Sequence, residues 1–231
     1  TMANCIITIG RQCGSGGHTI GKLVAQRLEL AFYDKEIVEL VAAKTKLSPE
    51  FIRSHGEYFN GGALGHIIGY GTRFDSNAKT GSSLTDHLHN VQSEIILEEA
   101  AKGPCVIVGR CADHVLAGKC PTLNIFIHSD MPYKVERSIA EHGLDREKAA
   151  AILTRRDKAR AHHYRFYTDQ KWGDVRNYDL CLDSGKLGVE TCVSIIVDTY
   201  RLLQHKAYSI RTETKPPRRN FTFPAGWFLI Y

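Results

Sequence analysis

Apolar residues are spaced along the chain in two ways. Mostly apolar runs rich in β-branched and aliphatic residues occupy 6–9, 105–108 and 123–127, the last crossed by Asn124, each closed by glycine or a polar residue. Between them, apolar positions recur at helical spacing: Ile20, Leu23, Val24 and Leu28; Ile37, Leu40 and Val41; Ile95 and Ile96; and finally Val189, Cys192, Val193, Ile196, Val197 and Tyr200. Continuous runs that do not alternate, separated by amphipathic helices, predict parallel strands covered on both faces. Residues 31–34 read as a further short strand and 178–183 as the last one. Residues 35–46 and 91–102 read as helices. Ser48 before Pro49 starts another, as do Asp130 with Pro132, and Asp145. Residues 60–83 break the pattern with repeated glycines, a composition expected of a mobile segment. Beyond His205 the pattern fails, so 206–231 reads as a poorly ordered or vector-derived tail.

The first thirty residues carry the clearest chemistry. A strand runs into Gly10-Arg-Gln-Cys-Gly14-Ser-Gly16-Gly17, and helical spacing begins directly after it. Without side chains, successive N–H groups can converge, and the helix adds its positive end; the product is a cradle for phosphate. A nucleotide P-loop expects Gly-x-x-x-x-Gly-Lys-[Ser/Thr], with the lysine neutralising phosphate charge. Gly17 stands where that lysine belongs. Taken with Asp34 about twenty residues on, the same glycines also fit a dinucleotide-binding turn, and Tyr167 with Lys171 would then supply a proton-transfer pair for a short-chain NAD(P)-dependent oxidoreductase.

Charge separates the two readings. The net charge is +5 and is unevenly spread: Arg155, Arg156, Lys158, Arg160 and Arg165 crowd against the single acid Asp157, with His162 and His163 among them. A solvated helix normally interleaves acids with its bases. Arginine is suited to phosphoryl transfer, where negative charge gathers between two anionic substrates. A hydride-transfer site has no such need. Trp172-Gly173 also follows Lys171 directly, where the oxidoreductase would need a continuing helix. The patch is too compact to imply long nucleic acid. With 231 residues, 43% hydrophobic and 24% charged, the chain suits one sizeable soluble core. Seven cysteines without a Cys-x-x-Cys pair read as reduced thiols, and no apolar run reaches membrane-spanning length. The expectation is a cytoplasmic protein with small-molecule nucleotide partners, no membrane association, and a tail that leaves room for docking in a homo-oligomer.

These residues together resemble the cytidylate kinase-like branch of the P-loop nucleoside monophosphate kinases. The resemblance rests on Gly10 to Gly17, Phe32-Tyr-Asp-Lys35, Val108-Gly-Arg110 with Asp113 nearby, Arg156-Asp157-x-x-Arg160 and Tyr178-Asp179, in that order over roughly residues 4–205. It implies an α/β fold, a three-layer P-loop NTPase with a central parallel sheet, in a single domain over 4–205. Within it the resemblance implies a helical acceptor-binding insert at 44–90 and an arginine-rich lid at 145–177. ATP and magnesium would be the cofactors. Gly14, Ser15, Gly16, Gly17, His18 and Thr19 would hold the ATP phosphates, with Thr19 near magnesium. Asp34, Arg110, Asp113 and Asp157 would serve the acceptor. Arg156 and Arg160 would face the transferred group, and Arg11 or a lid arginine would replace the missing lysine charge, since Lys22 sits a turn into the helix. The implied reaction is phosphoryl transfer from ATP to a nucleoside monophosphate, CMP first. A non-catalytic nucleotide-binding module is the alternative that the absent lysine keeps open.

Overall fold

The computed structural model describes residues 5–55 and 84–213, with the side chains of 53–55 and 205–213 excepted. Five parallel strands form one sheet: β1 (Ile6–Arg11), β2 (Ala31–Tyr33), β3 (Cys105–Val108), β4 (Thr122–His128) and β5 (Leu180–Asp183). Their order is β2-β3-β1-β4-β5. Strand β1 is therefore central, with Ile9 opposite Val108 on one side and Ile125 on the other. Its two neighbours come much later in the chain, so its carboxyl end opens into the crevice where the chain order reverses, the usual ligand position in such sheets.

Alternation along the strands divides the core into two layers. Ile7, Ile9, Val106, Val108 and Ile125 face α1 (Gly17–Leu28) and the closing helix, packing on Ile20, Val24, Val193, Ile196 and Val197. Ile6, Cys105 and Ile107 face the other way, onto α2 (Lys35–Thr45) and α4 (Leu84–Lys102), where Ile37, Val41, Ile95 and Ile96 meet them. A short helix α5 (Ala112–Leu116) completes that layer through Val115 and Leu116. Burying an aliphatic side chain fully is worth about 1.5–3 kcal/mol, and both faces of the sheet gain it. The result is the expected three-layer α/β fold.

Local signals place most boundaries where the sequence suggests. Ser48 Oγ accepts the Phe51 N–H at 3.2 Å at the start of α3 (Pro49–His55). Asp130 accepts the Tyr133 N–H at 2.9 Å and starts α6 (Met131–His142). Asp145 accepts from Glu147 and Lys148 and starts α7 (Arg146–Thr168). After the short α8 (Ser184–Leu187), the closing helix α9 (Val189–Glu213) passes His205, where the apolar pattern stops. A formed helix gains one backbone bond for each residue added, so it can outlast its apolar stripe. The boundary placed at 205 thus falls inside a helix; 214–231 lie outside the described residues, as does the central part of the proposed insert, 56–83.

All seven cysteines are free thiols, as their spacing implied. Burial pushes the Cys5 and Cys105 thiols up, to about 11 and about 12. Among the described residues no helix is long and apolar enough to cross a membrane.

Ile107 of β3 tests the second layer, because it is fully buried where the sheet meets α2 and α4. Ile107→Ala should lower unfolding free energy by about 2–5 kcal/mol, seen as a reduced urea midpoint. An unchanged midpoint would mean that this layer is not packed as described.

Candidate active site

The loop between β1 and α1 is shaped by what presses on it. Gly14 and Gly16 have φ near +80°, in the region that favours glycine. A Cβ on Gly14 would lie 2.7 Å from both the Lys134 carbonyl oxygen and Ser138 Oγ, so α6 leaves no room for a side chain there. Helix α1 has no side-chain cap and no acid in its first turn. The N–H groups of Gly17, His18 and Thr19 lie in that first turn, where an α-helix offers no carbonyl partner, and they carry its partial positive charge.

This helix end opens into a cavity of about 1060 Å³, counting its mouth, lined by Gly14, Gly16, Gly17, His18, Thr19 and Asp34 together with Arg11, Arg110, Arg137, Arg156 and Arg160. A second space of about 420 Å³ adjoins it and shares Arg11, Arg110 and Arg160, with Asp113, His163, Tyr164, Trp172 and Tyr178 on its far wall. The three shared arginines stand at the junction. Arg110 is brought there by Gly109, Arg110 and Cys111, all at positive φ. A non-glycine residue held so is strained by about 1–3 kcal/mol, and such strain collects at functional sites.

Not every expected residue faces the cavities. The Ser15 hydroxyl turns inward, donating to Gln12 O (2.8 Å) and Ile127 O (3.1 Å), and Ser15 is fully buried. It anchors the loop and lines neither cavity. Asp157 lines neither cavity as well. One of its oxygens accepts the Cys13 N–H at 2.6 Å, and the other meets Lys134 Nζ at 3.0 Å. Its carboxylate thus ties α7 to the glycine loop instead of facing a substrate. Asp34 lies at the end of β2 with its side chain on His18 Nδ1 (2.5 Å) and near Arg11 Nη2 (3.7 Å). It does not cap α2 through its side chain. Asp113 accepts from Tyr164 Oη at 2.7 Å, and burial raises its carboxyl pKa.

Arg156 and Arg160 lie one turn apart on α7 and share its inner face, while Arg155, Lys158 and Arg165 are exposed. Arg160 Nη1 donates to the Arg11 carbonyl at 3.1 Å. The charge run is therefore partly site and partly solvated face. Lys22 is exposed and lines neither cavity. Helix α7 ends at Thr168, with Asp169 in the left-handed region, so Lys171 lies beyond the helix that carries Tyr167. The Tyr/Lys pair needed by an oxidoreductase does not share a helix face.

Two basic residues on α6 escaped the sequence reading. Arg137 lies over Gly16, where a Cβ would come within 3.0 Å of its Cζ, and Nη2 donates to Thr19 Oγ1 at 2.9 Å. Lys134 is almost fully buried behind the loop. The Asp130 cap predicted their helix; only the position of β4 beside β1 puts its first turns against the glycine loop.

The cytidylate kinase-like family model matches residues 6–186. The chain belongs to the cytidylate kinase-like family. Family membership makes it a kinase, and the matched span runs from β1 through α8. A cytidylate kinase from Methanocaldococcus jannaschii is 23% identical over 198 residues, covering 83% of this chain and 94% of the relative. An uncharacterized protein from Eubacterium ventriosum has a solved structure with a TM-score of 0.63 at 27% identity, covering 85% of this chain and 98% of that one. A gluconokinase from Sinorhizobium meliloti shares the fold, with a TM-score of 0.54 at 14% identity over 89% of this chain and 97% of its own.

In this family member, α7 is also fastened to α4. The His89 ring stacks on Tyr167 with centroids 3.6 Å apart, and His163 stands edge-on to both. Burial, and after it the nearby His163, lowers the His89 imidazole from 6.5 to about 4. Between those values the unfolded chain takes up a proton that the folded chain refuses, so stability falls as pH drops through this window and levels off below it. The thermal midpoint of wild type should therefore fall more steeply from pH 6.5 to 4 than that of His89→Phe. Parallel profiles would rule out His89 as the source.

Proposed function

We propose that the chain transfers the γ-phosphoryl group of ATP to a nucleoside monophosphate, with CMP the first acceptor. The observation that carries this reading is one cavity with the uncapped amino end of α1 on one side and the Arg110, Arg156 and Arg160 guanidinium groups on the other. Two anionic substrates need positive charge from both sides if they are to meet.

The amides of Gly14 and of Gly16 to Thr19 would receive the ATP phosphates, while Ser15, whose N–H and hydroxyl both turn to the Gln12 carbonyl, would hold the loop in shape. The adjoining space would take the acceptor phosphate, held by Arg110 and Arg160. An ionised oxygen of that phosphate attacks the γ-phosphorus, the bond to the β,γ-bridging oxygen breaks, and ADP leaves with the electron pair. The acceptor oxygen carries no proton, so no side chain need act as a base. Arg156 and Arg160 would gain strength as charge spreads over the transferred group. In this proposal Asp157 supports the acceptor indirectly, by setting α7 against the loop, and Asp113 does so through Tyr164.

Among the described residues no cluster of three or more His, Cys, Asp or Glu side chains could hold a metal ion unaided. The Thr19 hydroxyl at the cavity wall, already serving as an acceptor for Arg137, is a hard oxygen ligand of the kind magnesium takes when it enters on nucleotide phosphates. Magnesium held beside the Thr19 hydroxyl would draw negative charge off the nucleotide phosphates. The segment 145–177, held against the glycine loop and the end of β1 through Asp157 and Arg160, would act as a lid over the site and exclude water, the competing acceptor.

Coupled ADP-release assays with ATP and each common monophosphate test the reading. CMP should give the highest kcat/KM. Nucleotide binding with no turnover on any monophosphate would favour the binding-module alternative. Arg160→Ala should lower kcat by about 10²–10³-fold with a modest drop in thermal midpoint from the lost bond to the Arg11 carbonyl, and an unaltered kcat would remove Arg160 from the transfer step.

A further inference from the structure

We propose that Arg11 supplies the cation that a P-loop kinase takes from the lysine at the position of Gly17, and that side chains at positions 11 and 17 exclude one another. This rests on the kinase reading above and identifies the charge that acts on the transferred group.

The exclusion is steric. A Cβ on Gly17 would sit 2.4 Å from Arg11 Cβ and 2.8 Å from Arg11 Cγ, while the next neighbour, Ile127 Cβ, is 3.7 Å away. The obstacle is the stem of Arg11 alone, and its Cβ cannot rotate away. Arg11 is the last residue of β1, held in register opposite Ile127 of β4, so its backbone is fixed by the sheet. Glycine at 17 is thus the companion of a residue at 11 that carries a side chain. Gly17 needs no unusual φ, unlike Gly16 before it.

The charge lands where a lysine at 17 would deliver it. Arg11 borders both cavities, at the junction a transferred phosphate must cross. Its side chain is only 11% exposed, and Asp34 Oδ1 stands 3.7 Å from Nη2, near enough to orient the guanidinium and too far for a short hydrogen bond. His18 takes the other Asp34 oxygen. The Arg11 carbonyl accepts from Arg160, which couples the two arginines through the end of β1. A planar fork can meet two phosphate oxygens where an ammonium offers a point charge.

Two measurements test this. Arg11→Met keeps the stem and removes the charge; it should lower kcat by about 10²–10³-fold with a much smaller change in KM for ATP, whereas Arg11→Lys should hold kcat within about tenfold of wild type. A merely structural brace on Asp34 would move the thermal midpoint and leave kcat near that of wild type, which would overturn the proposal. The second measurement does not depend on turnover. Gly17→Ala should lower the urea midpoint in the wild-type background and have little effect in an Arg11→Gly background, and equal cost in both would overturn the exclusion. A wild-type chain that forms no ADP with any monophosphate overturns the kinase reading and this inference with it. An active wild type matched by an equally active Arg11→Met overturns the inference alone.

Discussion

Crowding cations around one cavity is the constraint to which the rest of the site answers. Like charges about 4 Å apart repel by about 4 kcal/mol at an effective dielectric constant near 20, and Arg11, Arg110, Arg137, Arg156 and Arg160 all border the same space. Carboxylates paired with two of them, Asp34 and Glu141 on the cavity wall, offset part of this. Asp34 backs Arg11, Glu141 backs Arg137 at 2.6 Å, and Asp157 neutralises the buried Lys134 at 3.0 Å. Asp34 and Glu141 also fix the directions of the Arg11 and Arg137 guanidinium groups before any anion arrives. Such pairing reduces the reorganisation left for the binding step, the condition under which electrostatic stabilisation is most effective.

The same acids show where the sequence was legible and where it was not. Strand runs at 6–9, 105–108 and 123–127 could be read because both faces of the sheet are buried, and a short, mostly apolar run between helical stretches suits a covered parallel strand. The caps at Ser48, Asp130 and Asp145 could be read because they depend on neighbours within three residues. Arg137 and Lys134 could not. Their relevance comes from β4 lying beside β1 while β2 lies at the edge, an order that no local pattern encodes. The direction of the Ser15 hydroxyl was hidden for a related reason: a loop motif names the residue, but the Ile127 carbonyl behind it decides which way the hydroxyl turns.

Helix α7 is fastened along its length to different parts of the fold. Near its middle, Asp157 holds the glycine loop and Arg160 holds the end of β1. A turn further on, Tyr164 bonds Asp113 of α5, and Tyr167 stacks on His89 of α4. These contacts join the helix bearing Arg156 and Arg160 to the loop and to the helix that leads out of residues 56–83. The positions of the arginines are therefore set by contacts on both layers of the protein. A change in the α4 contact would reach the glycine loop through one rigid element.

The orientation of Asp157 follows from the same electrostatics. A carboxylate aimed into a cavity meant for phosphate would oppose the ligand, and burying it there unpaired would cost several kcal/mol. Turned toward the loop, it accepts a main-chain N–H that the tight turn leaves without a helical partner, and it neutralises an ammonium group that could not otherwise be buried. The residue between the arginines thus stabilises the shape of the phosphate cradle while the cradle keeps its positive face. An acid is needed at 157, and it acts from behind the binding surface.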